Sequence, residues 1–83
     1  MDQKSILIVE DEAITAMEIE SCLKDLGCEV SGIVNSGEKA LKRISKNGIN
    51  LILMDIQLKG ELNGIEAAEI IHSKYNVPVI FLT

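Results

Sequence analysis

The chain has 83 residues and a mass of 9.1 kDa, room for one small domain, because a second would have no core of its own. Hydrophobic residues make up 47% and charged ones 25%, a globular composition that excludes disorder and fibrous repeats. Acids outnumber bases 13 to 8, and the net charge of -5, with one Phe, one Tyr and no Trp, disfavours direct binding of nucleic acid.

Met1-Asp2-Gln3-Lys4-Ser5 precedes only Ile6-Leu7-Ile8-Val9 before charge returns, too short an apolar run for a secretory signal. No stretch approaches the roughly 18 apolar residues of a membrane span, so a cytoplasmic location is expected. Ser5–Val9 reads as a first strand. A helix follows from about Ala13 to Leu26, burying Ala16, Ile19, Leu23 and Leu26, with Gly27 at the position of a left-handed cap. Cys22 and Cys28 have neither metal-binding nor redox-motif spacing and read as reduced core fillers.

Glu29–Val34 is the second strand, and Ser31 and Gly32 inside it suggest a sheet edge. Asn35 with Glu38 has capping-box spacing and opens a second helix that carries Ala40, Leu41 and Ile44 inward until Asn47-Gly48. Its Lys39, Lys42, Arg43 and Lys46 read as a solvated face. Leu51–Met54 is an apolar third strand. Asn63 with Glu66 caps a third helix that turns Ile65, Ala68 and Ile71 toward the sheet, and Pro78 bars its extension. Val79–Leu82 is a fourth strand, apolar like the first and third, as strands buried on both faces must be. His72 reads as a surface side chain.

The order β-α-β-α-β-α-β predicts an α/β fold with a parallel sheet, and right-handed crossovers then gather every strand-to-helix loop along one edge. A strand order of 2-1-3-4, that of flavodoxin-like sheets without their fifth strand, makes a crevice at the carboxyl ends of strands one and three. Glu10 and Asp11 directly follow strand one, and Asp55 directly follows strand three. An Asp at a strand end commonly serves as a turn former, but three acids on one edge are costly. Two carboxylates about 5 Å apart repel by roughly 3 kcal/mol at an effective dielectric near 20. A hard divalent cation such as Mg²⁺ removes that repulsion and leaves positions for phosphate oxygens. Asp55 beside such a cation could form an aspartyl phosphate, and Thr83, closing strand four on the same edge, could donate its hydroxyl to a phosphoryl oxygen.

Ile6-Leu7-Ile8-Val9-Glu10-Asp11-Glu12, Leu51-Ile52-Leu53-Met54-Asp55-Ile56, Asn63-Gly64-Ile65-Glu66 and Pro78-Val79-Ile80-Phe81-Leu82-Thr83 together resemble the receiver domain of two-component response regulators. The resemblance covers the whole chain. It implies that Asp55 accepts a phosphoryl group from a histidine kinase. It also implies that Asp11 binds Mg²⁺ directly and Glu10 through water, that the backbone carbonyl of Gln57 is a further ligand, and that Thr83 is the switch hydroxyl. The implied role is signalling rather than enzymatic turnover, with an output domain or downstream protein as partner.

Two departures accompany the likeness. Receivers usually carry a proline shortly after the phosphoacceptor and a glycine eight residues beyond it, whereas here Lys59-Gly60-Glu61-Leu62 leads to Gly64, one residue later. The sequence also stops at Thr83, ahead of the family's fifth strand, last two helices and the lysine that pairs with the phosphoryl group. On this reading residues 1–83 are the N-terminal portion of a receiver, and a longer chain or a second copy, as in a homodimer, covers the exposed surface. A receiver-like scaffold that binds partners without phosphorylation is the alternative. A fragment of a metal-dependent phosphohydrolase or a nucleotide-binding domain is a weaker one: Gln57 stands where the former needs a second acid, and Glu10-Asp11-Glu12 would repel a nucleotide's phosphates.

Overall fold

A computed structural model describes residues 5–46, 48–58 and 60–82. Its elements are β1 (Ser5–Val9), α1 (Ala13–Asp25), β2 (Glu29–Val34), α2 (Gly37–Ile44), β3 (Leu51–Asp55), α3 (Gly64–Tyr75) and β4 (Val79–Leu82). The strands form one parallel sheet in the order β2-β1-β3-β4, the flavodoxin-like arrangement. Among the described residues no helix is long and apolar enough to cross a membrane.

Side chains alternate between the faces of each strand, so the register decides which residues share a layer. Leu7 pairs with Ile52 and Val9 with Met54, and these four, all fully buried, meet Ala40 and Ile44 of α2 and Ala67 and Ile71 of α3. Ile6 and Ile8 face the opposite layer, where α1 lies over β1 and β2. At the start of the sheet Ser5 and Asn50 are tied reciprocally: the Ser5 N–H donates to Asn50 Oδ1 at 2.9 Å, and the Asn50 N–H to the Ser5 carbonyl at 2.8 Å.

The buried stripe of α3 is Gly64, Ala67, Ala68 and Ile71, a run at i, i+3, i+4 and i+7 of mostly small residues that lets the helix sit close to the sheet. Ile65 falls outside that stripe and is 51% exposed, contrary to the sequence expectation. Leu26 is likewise not buried; as the C-cap residue of α1 it has left the helix face that carries Ala16. The second helix is capped by Ser36 rather than Asn35, with Ser36 Oγ accepting from the Lys39 N–H at 3.1 Å. β4 is an edge with Ile80 and Phe81 both exposed, so it is not buried on both faces as its composition suggested. Asn47, expected to help stop the second helix, lies outside the described residues.

The Asn63–Glu66 capping box is present in full: Asn63 Oδ1 accepts from the Glu66 N–H at 2.9 Å, and Glu66 Oε1 from the Asn63 N–H at 3.1 Å. Replacing Asn63 by alanine is therefore expected to cost about 1 kcal/mol in denaturant unfolding; an unchanged midpoint would show that this cap contributes nothing.

β2 carries an irregularity. Ile6 pairs with Val30 but Leu7 with Gly32, so Ser31 is the extra residue of a bulge. Arg43 of α2 reaches across to it, Nη2 donating to the Ser31 carbonyl and, at 2.7 Å, to Ser31 Oγ. An added Cβ at Gly32 would stand 3.0 Å from that nitrogen, so the guanidinium lies directly over Gly32. Arg43 is thus half-buried and engaged, not part of a solvated face.

Candidate functional site

The register that pairs Val9 with Met54 carries forward by one step to set Glu10 beside Asp55, on the same face of the sheet. Asp11 follows in the loop before α1. Carboxylate oxygens of Glu10, Asp11 and Asp55 all lie within 4.8 Å of one another. The three acids singled out in the sequence are therefore brought together at the carboxyl ends of the two central strands. Thr83, the expected switch hydroxyl, lies outside the described residues.

Backbone amides hold two of these carboxylates. The Glu12 N–H donates to Glu10 Oε2 at 3.2 Å, and the Gln57 N–H donates to Asp55 Oδ1 at 3.0 Å. Each is a local turn in which an acid caps the amide two residues on, which helps to fix its rotamer. Gln57 itself is exposed, in the turn that follows β3.

Glu10 is 7% exposed. Burial, above all, pushes its carboxyl above the ordinary value of 4.5; the Glu12 amide opposes the rise, while the facing Asp55 and Asp11 carboxyls reinforce it. The folded state thus binds this proton more tightly than the unfolded chain. In the absence of divalent metal, stability is expected to be fully present below pH 4.5 as far as this group is concerned, and to fall as pH rises through the raised value. Melting curves recorded from pH 4.5 upward should show a declining component that Glu10→Gln removes and Mg²⁺ reduces. A decline that persists in the variant would assign it to other groups.

Gly64, the first residue of α3, seals the site from below. Its N–H donates to the Ile56 carbonyl at 3.3 Å, and a Cβ there would lie 2.2 Å from the Asp55 carbonyl oxygen. The glycine displaced by one residue in the sequence therefore still packs directly against the backbone of Asp55. The longer loop is accommodated at Gly60, whose φ of 106° is a conformation that side chains rarely adopt.

Two cavities flank the acids. One, of about 230 Å³, is lined by Asp55, Ile56, Gln57 and Leu82. The other, of about 300 Å³, opens between α1, β2 and α2, where Asn35 and Lys39 join Glu10 and Asp11. Asn35 and Lys39 were not anticipated here. The signal was available in the topology, since β2 neighbours β1 and whatever follows Val34 must border whatever follows Val9.

A family model described as the response regulator receiver domain matches residues 6–83. The chain is 39% identical over 79 residues to the phyllosphere-induced regulator PhyR of Methylorubrum extorquens, covering 94% of this chain and 30% of that protein. It is 36% identical over 83 residues to the aerobic respiration control protein ArcA of Escherichia coli K12, covering all of this chain and 34% of that one. It thus spans about a third of the length of these relatives. Among solved structures it superposes on the signal receiver domain of a modulated diguanylate cyclase from Desulfovibrio desulfuricans G20 with a TM-score of 0.91 at 35% identity, covering 96% of this chain and 64% of that one. A central parallel sheet that gathers three acids at its carboxyl edge agrees with this likeness along the whole described sequence, and the chain belongs to the response regulator receiver domain family.

Proposed function

We propose that the chain accepts a phosphoryl group on Asp55 from a histidine kinase, in a Mg²⁺-dependent reaction. The observation that carries this reading is the convergence of the Glu10, Asp11 and Asp55 carboxylates within 4.8 Å. Three oxygen donors this close, one of them on a buried side chain, suit a small hard cation and are electrostatically costly without one. Glu10, Asp11 and Asp55 would hold the ion, with the backbone carbonyl of Gln57 as a further donor. When bound, Mg²⁺ supplies positive charge that offsets the negative charge of both reacting groups.

The protein's own contribution is position. The Gln57 amide engages Asp55 Oδ1, and Oδ2 would be the atom that attacks phosphorus. As the Oδ2–P bond forms, the bond from phosphorus to the imidazole nitrogen of the kinase breaks, and its electron pair returns to that nitrogen. Thr83 would then hydrogen-bond a phosphoryl oxygen and pass the change of charge to a partner or output domain. Thr83→Ala is accordingly expected to leave phosphoryl uptake intact while weakening the downstream response.

The test is an intact mass recorded after incubation with Mg²⁺ and acetyl phosphate. A gain of one phosphoryl group, abolished by EDTA, supports the proposal. No gain would leave a binding scaffold that is not phosphorylated as the better account.

A further inference from the structure

The chain carries a net charge of -5, yet four of its eight cations, Lys39, Lys42, Arg43 and Lys46, fall within a single stretch on and just beyond α2. Arg43 is committed to the Ser31 bulge. Lys39, Lys42 and Lys46 are exposed, and their i, i+3, i+7 spacing sets them on one face. Lys46 prolongs the coil, its N–H donating to the Arg43 carbonyl at 3.2 Å. The three ammonium groups thus line a strip about 10 Å long at 1.5 Å per residue.

A face that merely keeps a helix solvated is normally built from alternating signs. Here Lys39 and Lys42, Lys39 and Arg43, and Lys42 and Lys46 are like-charged neighbours at three and four residues, an arrangement that destabilises a helix. Among the described residues the one ion pair is Lys24 with Glu20 on α1, so although Glu38 stands four residues before Lys42, none of these lysines is held by a carboxylate within 4.0 Å. The helix dipole favours cations near the last turn, which accounts for Lys42, but it disfavours Lys39 in the first. Lys39 also borders the cavity beside Glu10 and Asp11, so the strip begins at the candidate site and runs away from it.

We infer that this strip of α2 docks an acidic helical segment of a partner protein. Its carboxylates would be spaced to meet Lys39, Lys42 and Lys46, and the segment would run from Lys39 away from the acid cluster. Charge complementarity selects the partner's sign, and screening selects its kind. At physiological salt a short segment senses only charges within about 8 Å, the local cations. A long polyanion would have to lie over the acidic remainder of the surface.

The experiment uses the full-length protein and a fluorescent alanine-based helical peptide with Glu at i, i+3 and i+7, followed by anisotropy and by amide chemical shifts. Binding that weakens with salt, perturbs residues 39–46, and is about tenfold weaker for the Lys42→Gln/Lys46→Gln variant is expected, that being the loss of two exposed ion pairs. Equal binding by wild type and variant overturns the inference, as do perturbations confined to other elements. Tighter binding of a short DNA duplex than of the peptide overturns it in favour of nucleic acid. A melting curve confirms that the neutral variant folds, and its phosphoryl uptake on Asp55 should match the wild type, which separates this surface from the proposed chemistry.

Discussion

Gly64→Ala is expected to lower the melting temperature by about 10–20 °C or to prevent folding. A new Cβ would stand 2.2 Å from the Asp55 carbonyl oxygen, 2.9 Å from Ile56 Cα and 3.0 Å from the Asp55 carbonyl carbon. All three are backbone atoms at the end of a central strand, so no flexible side chain can yield. Overpacking in a close-packed core costs about 1–3 kcal/mol and sometimes more, and in a domain of this size each kcal/mol moves the midpoint by roughly 4–8 °C. The alternatives to unfolding are a shift of α3 or of the β3 end, and either would move Asp55. Gly27→Ala is the control, since nothing lies within 4 Å of its Cβ and only its φ of 86° is strained. A Gly64→Ala protein that melts with the wild type would show that the approach of α3 to Asp55 is not as tight as described.

Asp55→Asn is expected to lose phosphoryl uptake entirely and, in the absence of divalent metal, to become more stable. The amide oxygen can still accept from the Gln57 N–H, so the turn after β3 survives. The negative charge does not, and with it goes the repulsion of Glu10 and Asp11 across at most 4.8 Å. Coulomb's law gives about 1–3 kcal/mol per pair at that separation between the dielectric of water and an effective value near 20. The gain should shrink when Mg²⁺ is added, because the wild type then recovers what the variant no longer needs. Thermal melts of both proteins with and without MgCl₂, beside intact masses after acetyl phosphate, check the two halves independently. A variant that is less stable than wild type without metal would remove the electrostatic argument for a cation.

Much of this was readable in the residues. Short apolar runs at 5–9, 51–54 and 79–82 and the split run at 29–34 are strands, β3 extending by one residue to include Asp55 itself. The acid cluster was legible because parallel crossovers put Glu10, Asp11 and Asp55 on one edge, while their close approach depended on the order 2-1-3-4 assumed from flavodoxin-like sheets, which sets β1 beside β3. What periodicity missed has local causes. Ser36 took the cap from Asn35, since both residue types can cap and spacing alone does not decide a helix boundary to within one position. Ile65 and Leu26 were assigned inward as apolar residues at element ends, where a helix face is no longer defined by packing. Arg43 was the largest surprise: its charge suggested solvent, but the unpaired polar groups of Ser31 offered a partner that single-helix patterning does not contain.

That contact has a further consequence for the molecule in a crowded cell. β2 forms one border of the sheet, where open backbone groups invite a strand from another molecule to add on. The bulge at Ser31 breaks the repeat that such a strand would need, the Arg43 guanidinium already occupies the Ser31 carbonyl, and its charge lies over Gly32. The bulge and the Arg43 guanidinium thus both work against the addition of a strand at this border, and an Arg43→Ala variant would leave the bulge to do so alone.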